Sequence, residues 1–249
     1  MTWKFLNTGF HSGSFNMEFD EALAHQFNNC SAIPILRVYG WSPPAISLGF
    51  NQNIQDFDSS KLTQAGIDIV RRPTGGRAIL HAHELTYSVV IRIGEIGPRT
   101  IYHFINEGLL RGLEFMGIEA QLSEKSADFR KLYQDKTSIP CFSSSAKSEI
   151  QFDGRKLVGS AQRRYGTVIL QHGSLLLGPQ HRKITDFLAP HVEDSREILE
   201  GDLNARTTDA ETILGKTVSF EEAADCVKQG FEKQYNIIFE DSIVSDIVQ

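Results

Sequence analysis

Apolar and polar residues alternate over residues 3–7 before Gly9, the period of a short half-buried strand. Phe15, Phe19, Leu23 and Phe27 then recur every fourth residue, which aligns them as one stripe of a helix that Ser14 can cap and Asn28-Asn29 ends. Residues 35–39 and 45–50 read as two strands of a hairpin-like pair joined across Gly40 to Pro44, where Pro43 and Pro44 block a continuous ladder. Residues 58–65 carry a short helical pattern stopped by Gly66, and residues 67–70 are apolar enough for a buried strand. A second alternating run covers residues 85–92. Leu85, Tyr87, Val89 and Ile91 share one face and Thr86, Ser88, Val90 and Arg92 the other, so one face packs on the core and the other is available to a ligand.

Residues 100–116 predict an amphipathic helix with Ile101, Phe104, Ile105, Leu109, Leu113 and Met116 inward and Gly117 as its stop. From 123 to 140 the pattern breaks into mixed charge with a weak helical signal at 129–133, the expected signature of a surface lid folding over a pocket; Pro140 then precedes Cys141. Asp153-Gly154 sits between strand-like runs at 149–152 and 155–160, a hairpin signal that brings Lys156 out two residues after the turn. Residues 168–171 and 174–177 continue the strand character around His172-Gly173. Beyond Gly178 the texture turns helical. Thr208 with Glu211 and Ser219 with Glu222 each fit a capping box, Phe220, Ala223, Ala224, Val227 and Phe231 make an apolar stripe, and residues 237–239 allow a last short strand.

No repeat, low-complexity linker or composition break divides the chain, so one α+β domain over residues 1–249 is expected. With 41% hydrophobic and 22% charged residues the composition suits a globular core, and a net charge of −6 does not favour nucleic acid as a partner. No apolar window approaches the roughly 20 residues that span a bilayer, and no secretory pattern opens the chain, so no membrane partner and a cytoplasmic location are expected. Cys30, Cys141 and Cys226 show no CxxC spacing, which argues against a disulfide framework or a metal site.

The chemistry concentrates in Arg71-Arg72-Pro73-Thr74-Gly75-Gly76-Arg77-Ala78-Ile79-Leu80-His81. Glycines at a strand exit let backbone N–H groups approach a ligand, and guanidinium groups supply charge for a carbonyl or phosphate oxygen. On spacing alone a basic turn with solvated arginines fits equally well.

That segment, with Glu84-Leu85-Thr86-Tyr87-Ser88 after it, resembles the signature of the lipoate and biotin protein ligase superfamily. Gly154-Arg155-Lys156-Leu157-Val158-Gly159-Ser160-Ala161-Gln162 and Ile169-Leu170-Gln171-His172-Gly173-Ser174-Leu175-Leu176 agree with it in the same order. The resemblance implies a central mixed, largely antiparallel sheet flanked by helices, the catalytic-domain fold of biotin and lipoyl protein ligases, with an acyl tunnel beside the arginine-glycine loop. Within the superfamily the chain looks more like the cysteine-dependent octanoyltransferase serving the glycine cleavage H protein, with Cys141-Phe142 ahead of Gly154-Arg155-Lys156 and with Arg77 where ligases more often carry a third glycine. An ATP-dependent lipoate-protein ligase lacking its accessory domain, or a non-catalytic acyl-binding module, are the alternatives.

The resemblance therefore implies transfer of an octanoyl group from acyl carrier protein to a lysine of a lipoyl-acceptor domain through a Cys141 thioester, with no cofactor and ATP needed only by the ligase alternative. A thiol of pKa about 8.5 is mostly protonated at neutral pH, and a neighbouring Lys156 ammonium favours the thiolate. Lys156 would also bond the acyl carbonyl. Gly75, Gly76, Ser160 and Ala161 are expected at the carbonyl end, Arg72 and Arg77 against polar parts of the donor, and Thr74, Gly159 and Gly173 among the substrate-binding residues. His81 and His172 are candidates for wall residues, general bases or structural hydrogen bonding. Arg71 is a weaker candidate, because strand alternation points it away from Arg72.

Overall fold

Strand β1 (Thr2–His11) runs between two parallel neighbours, β2 (Ile35–Trp41) on one side and β11 (Ile238–Asp241) on the other. The computed structural model describes residues 1–29, 33–94, 96–123 and 149–241. Across β2 the sheet becomes antiparallel, through β6 (Glu84–Arg92), β10 (Val168–Leu176), β9 (Arg155–Tyr165), β8 (Ile150–Phe152) and β7 (Gln121–Leu122). The expected mixed, largely antiparallel sheet is the sheet observed.

One face of it is covered by α3 (Pro98–Phe115) and α6 (Phe220–Tyr235), the two helices with the clearest apolar stripes. Ile101, Ile105, Leu109 and Leu113 from α3 and Ala223, Val227 and Phe231 from α6 join Leu36, Val38, Leu85, Tyr87 and Val89 of the sheet in the main core, where burial of each large side chain stabilises by about 1.5–3 kcal/mol. The opposite face carries α1 (Gly13–Asn29), whose Phe19, Leu23 and Phe27 pack on Leu6, Ile35, Val90 and Leu170. Both faces of β6 are therefore buried from Glu84 to Val90, its polar Thr86 and Ser88 included.

A second sheet, β4-β3-β5, holds the arginine-glycine stretch: β3 (Ala45–Leu48) pairs in parallel with β4 (Asp68–Arg71) and antiparallel with β5 (Ile79–His81). Helix α2 (Ser59–Ala65), capped by Asp58, leads into β4. Under this sheet, Ile184 and Leu188 of the 3-10 segment Pro179–Phe187 and its exit pack with Leu199 and Leu203 of α4 (Arg196–Arg206). The short α5 (Ala210–Leu214) connects to α6.

Several local expectations change. β2 and β3 do not form a hairpin-like pair; the chain leaves the large sheet at Ser42 and enters the small one, because two consecutive prolines supply no N–H with which to continue a shared ladder. Ser14 lies inside α1, and it is Ser12 Oγ that accepts from the Phe15 N–H at 3.4 Å. Phe15 itself is 36% exposed, so the core stripe starts at Phe19. β4 is half-buried rather than buried. The capping box of Thr208 and Glu211 gives way to Asp209, whose carboxylate accepts from Thr212 N–H at 2.9 Å, while Ser219 caps α6 through Glu222 N–H at 3.0 Å as expected. Asp153 and Gly154, both at positive φ (49° and 72°), make the predicted tight turn between β8 and β9. The expected lid over 123–140 falls, beyond Ser123, outside the described residues, as do Cys30 and Cys141.

Candidate active site

Residues 72–78 leave β4 and return to β5, so both ends of the stretch are clamped by the same central strand. Arg72 is the internal staple. Its Nη1 donates to Ser47 O (2.9 Å) and Ser47 Oγ (3.2 Å), its Nε to Gly75 O (3.2 Å), and its Nη2 to Gly75 O (2.9 Å) and Arg77 O (2.7 Å). A guanidinium has five N–H groups, and these five bonds direct them to acceptors on the loop and on β3. Arg72 thus lines the cavity but spends its donors on the protein, where the sequence reading had it meet the donor substrate. Gly49 sits so close to the loop that a Cβ there would stand 1.9 Å from Gly76 O. Arg163, which sequence reasoning missed, holds the outer side by donating to Pro73 O at 2.8 Å. Arg71 is exposed and donates to Gly49 O and Phe50 O, away from the cavity.

The loop, β9, β10 and β2 contribute most of the lining of a cavity of about 240 Å³ with a mostly apolar wall. Met17, Tyr39, Trp41 and Ile79 supply hydrocarbon and aromatic surface. Gly75, Gly76, Arg77, His81 and His172 line it together with Gly159, Ser160, Ala161 and Gly173. Thr74 stands just behind, bonded to His172. β9 and β10 meet here in register, with Gly173 opposite Ser160 and His172 opposite Ala161. Ser160 is fixed by the Tyr87 hydroxyl, which donates to its Oγ at 2.7 Å and accepts from Gln171 Nε2 at 2.8 Å.

Each candidate histidine is held by a buried carboxylate. His172 Nδ1 donates to Asp20 Oδ2 at 3.2 Å, and its Nε2 shares a hydrogen bond of 2.7 Å with Thr74 Oγ1. Asp20 also accepts from Arg37 Nη1 (2.7 Å), Tyr39 OH (2.9 Å) and Ser88 Oγ (2.8 Å). Burial alone would raise its pKa, but the Arg37 cation with the His172 and Ser88 contacts outweighs burial and holds it below the ordinary value. His81 Nδ1 donates to Glu84 Oε1 at 2.9 Å, its Nε2 shares 2.7 Å with Ser47 Oγ, and its ring stacks on Trp41 at 3.9 Å between centroids. Glu84 is again lowered against the opposing effect of burial, by His81 and by hydrogen bonds from Ser174 and Thr86. Both rings have both nitrogens engaged, a geometry that positions the loop and the strand ends.

Lys156 lines the cavity, and only 3% of its surface is exposed. Its Nζ donates to Glu149 Oε1 at 2.7 Å, a buried pair that the sequence reading did not foresee. Its backbone is tied to the C-terminal part, where Thr208 N–H donates to Lys156 O at 3.0 Å. The expected partner of Lys156, Cys141, lies outside the described residues. Among the described residues no group of three His, Cys, Asp or Glu side chains is arranged to hold a metal ion. Cys226, in α6, has its thiol pushed up by burial and by nearby Glu222 and Asp225, the opposite of what a nucleophile needs. No described helix is long and apolar enough to cross a membrane.

With this geometry in place, likeness to known proteins becomes informative. The family model of the lipoyl protein ligase A/B catalytic domain matches residues 12–232. An octanoyltransferase LipM of Geobacillus kaustophilus is 36% identical over 248 residues, which span 96% of this chain and 88% of the relative. Octanoyltransferase LipM of Bacillus subtilis is also 36% identical, over 246 residues, with the same coverage of 96% and 88%. Among solved structures, a lipoate-protein ligase A bound with ATP superposes with a TM-score of 0.79 at 22% identity, covering 99% of this chain and 91% of that one. A bi-partite lipoate protein ligase from Thermoplasma acidophilum superposes with a TM-score of 0.80 at 20% identity, covering 99% and 89%. At those identities the structural likeness speaks for the fold.

Proposed function

The chain belongs to the lipoyl protein ligase A/B catalytic-domain family, and from that premise we propose that it is an octanoyltransferase of protein lipoylation. In this reading it takes an octanoyl group from an acyl-carrier-protein thioester, carries it on Cys141, and passes it to a lysine of a lipoyl-acceptor domain of the glycine cleavage H type. The observation that carries the proposal is a mostly apolar cavity with a buried ammonium, Lys156, in its wall.

A thioester is already activated, so the reaction needs a nucleophile and a place for the oxyanion, and requires neither ATP nor a cofactor. The Cys141 thiolate attacks the acyl carbonyl, the carbonyl oxygen gains charge, and as the oxyanion collapses the C–S bond to the carrier breaks, the carrier's sulfur taking up the proton that the Cys141 thiol released. Lys156 Nζ is the fixed cation available to that oxygen, and the backbone around Ser160 and Ala161, held by Tyr87, gives the carbonyl end a rigid wall. The aliphatic tail leaves water for the surface of Met17, Tyr39, Trp41 and Ile79, which favours a medium-length chain over a short acid by about 0.8 kcal/mol for each CH₂ buried.

The test is to incubate the purified protein with octanoyl-acyl carrier protein and weigh it by mass spectrometry. An octanoyl adduct located on Cys141, absent in Cys141→Ala, and consumed when an unmodified H protein is added, is the expected result. Acceptor modification that demands ATP and survives Cys141→Ala would instead identify a ligase.

A further inference from the structure

Glu149 is used by nothing in the reaction as described so far. It lines the same cavity as Lys156 with its side chain 4% exposed, and its backbone is pinned where Ser123 N–H donates to Glu149 O at 2.8 Å. One carboxylate oxygen, Oε1, accepts from Lys156 Nζ. The other, Oε2, is buried and has no hydrogen-bond partner among the described residues. A buried carboxylate oxygen left unmatched is costly, and the ordinary resolution is a cation that arrives with the substrate. Of the reactants in the proposed transfer, the one that brings such a group is the acceptor, whose lysine enters as an ammonium.

Resting on the octanoyltransferase reading, we propose that Glu149 receives the acceptor lysine: Oε2 binds the incoming ammonium beside the acyl carbonyl and takes its first proton. The neighbouring Lys156 cation works in the same direction, since a like charge weakens an ammonium's hold on its proton. The ammonium carries two protons more than the amide nitrogen it becomes. One passes to Glu149 and then to solvent. The uncharged amine attacks the acyl carbonyl, the C–N bond forms as the C–S bond breaks, and the second proton leaves with the sulfur.

A residue that only holds Lys156 in place acts on every acceptor alike; a residue that deprotonates the amine acts only on acceptors that arrive charged. The experiment therefore loads wild type, Glu149→Gln and Glu149→Asp with octanoyl groups and chases each with unmodified H protein or with hydroxylamine, an amine uncharged at neutral pH. Glu149→Gln is expected to slow transfer to the H protein about 100-fold, the scale of a lost general base, with release to hydroxylamine unchanged and Glu149→Asp partly restored. Equal slowing with both acceptors, no slowing with either, or a Glu149→Gln protein that folds but takes up no acyl group overturns the proposal. A wild-type protein that forms no adduct at all overturns the parent reading, and this one with it.

Discussion

Arg72 shows how much a single side chain can settle. All five of its N–H groups are spent on Ser47, Gly75 and Arg77, so the loop keeps its shape without a ligand. Lysine would carry the same charge but only three donors on a flexible stem. Arg72→Lys is therefore expected to lower stability by about 1–3 kcal/mol in urea unfolding and to slow octanoyl transfer, because buried carbonyls lose their partners. An unchanged midpoint would show that the loop is held by its strands alone. The arginine-glycine stretch was recognisable in the sequence, but its role as its own scaffold was not, since spacing does not show where a guanidinium ends. Glu149 was closer to being readable. Across the Asp153-Gly154 turn the pairing sets Gln151 opposite Lys156 and brings Glu149 near it in the chain, but the register shifts between Ile150 and Gln151, so alternation alone does not assign the face of Glu149. Asp20, by contrast, meets His172 from 152 residues away, and no local pattern announces such a pairing.

At the scale of elements, the helices that read most clearly in the sequence are those that bury a single stripe, α3 and α6. Their contact is closer than ordinary side chains allow. A Cβ on Gly230 of α6 would stand 2.3 Å from Gly112 N and 2.5 Å from Gly108 O of α3, backbone atoms that cannot swing aside. Gly230→Ala improves helix propensity by about 1 kcal/mol in isolation, yet the clash is expected to reverse the sign and destabilise by about 1–3 kcal/mol. Thermal unfolding decides which term wins, and a raised melting temperature would mean the helices separate without cost. The splitting of β2 from β3 was the element that local reading misplaced: two strands close in sequence suggest a hairpin, and only the positions of β4 and β5 reveal that β3 has better partners in another sheet.

For the whole molecule, the buried titratable groups set an acid limit in two stages. Burial and the adjacent Arg182 cation push His181 down to about 4, against an ordinary 6.5. Its unfolded form binds a proton first, so stability falls as pH drops from 6.5 toward 4, by up to about 3 kcal/mol. Asp20 and Glu84 have depressed values when folded, so their contribution holds above the ordinary carboxyl values of 3.8 and 4.5 and is lost as pH falls below them. His181→Gln is expected to level the first decline and leave the second, as measured by urea unfolding across pH; an unaltered first decline would assign it elsewhere. The α+β class and the order of strands around the site motifs were readable in the sequence. The partition into two sheets with a cavity between them was not, because it depends on contacts between segments far apart in the chain.

The hydrogen bond from Thr208 to the backbone of Lys156 carries a practical consequence for building hybrids of related enzymes. The helical portion after Gly178 looks like an interchangeable attachment, yet it supplies one of the struts that seat the cavity's cation. A crossover that replaces it must import Thr207 and Thr208 in their present register, or the hybrid will recognise its new client and have its ammonium in the wrong place.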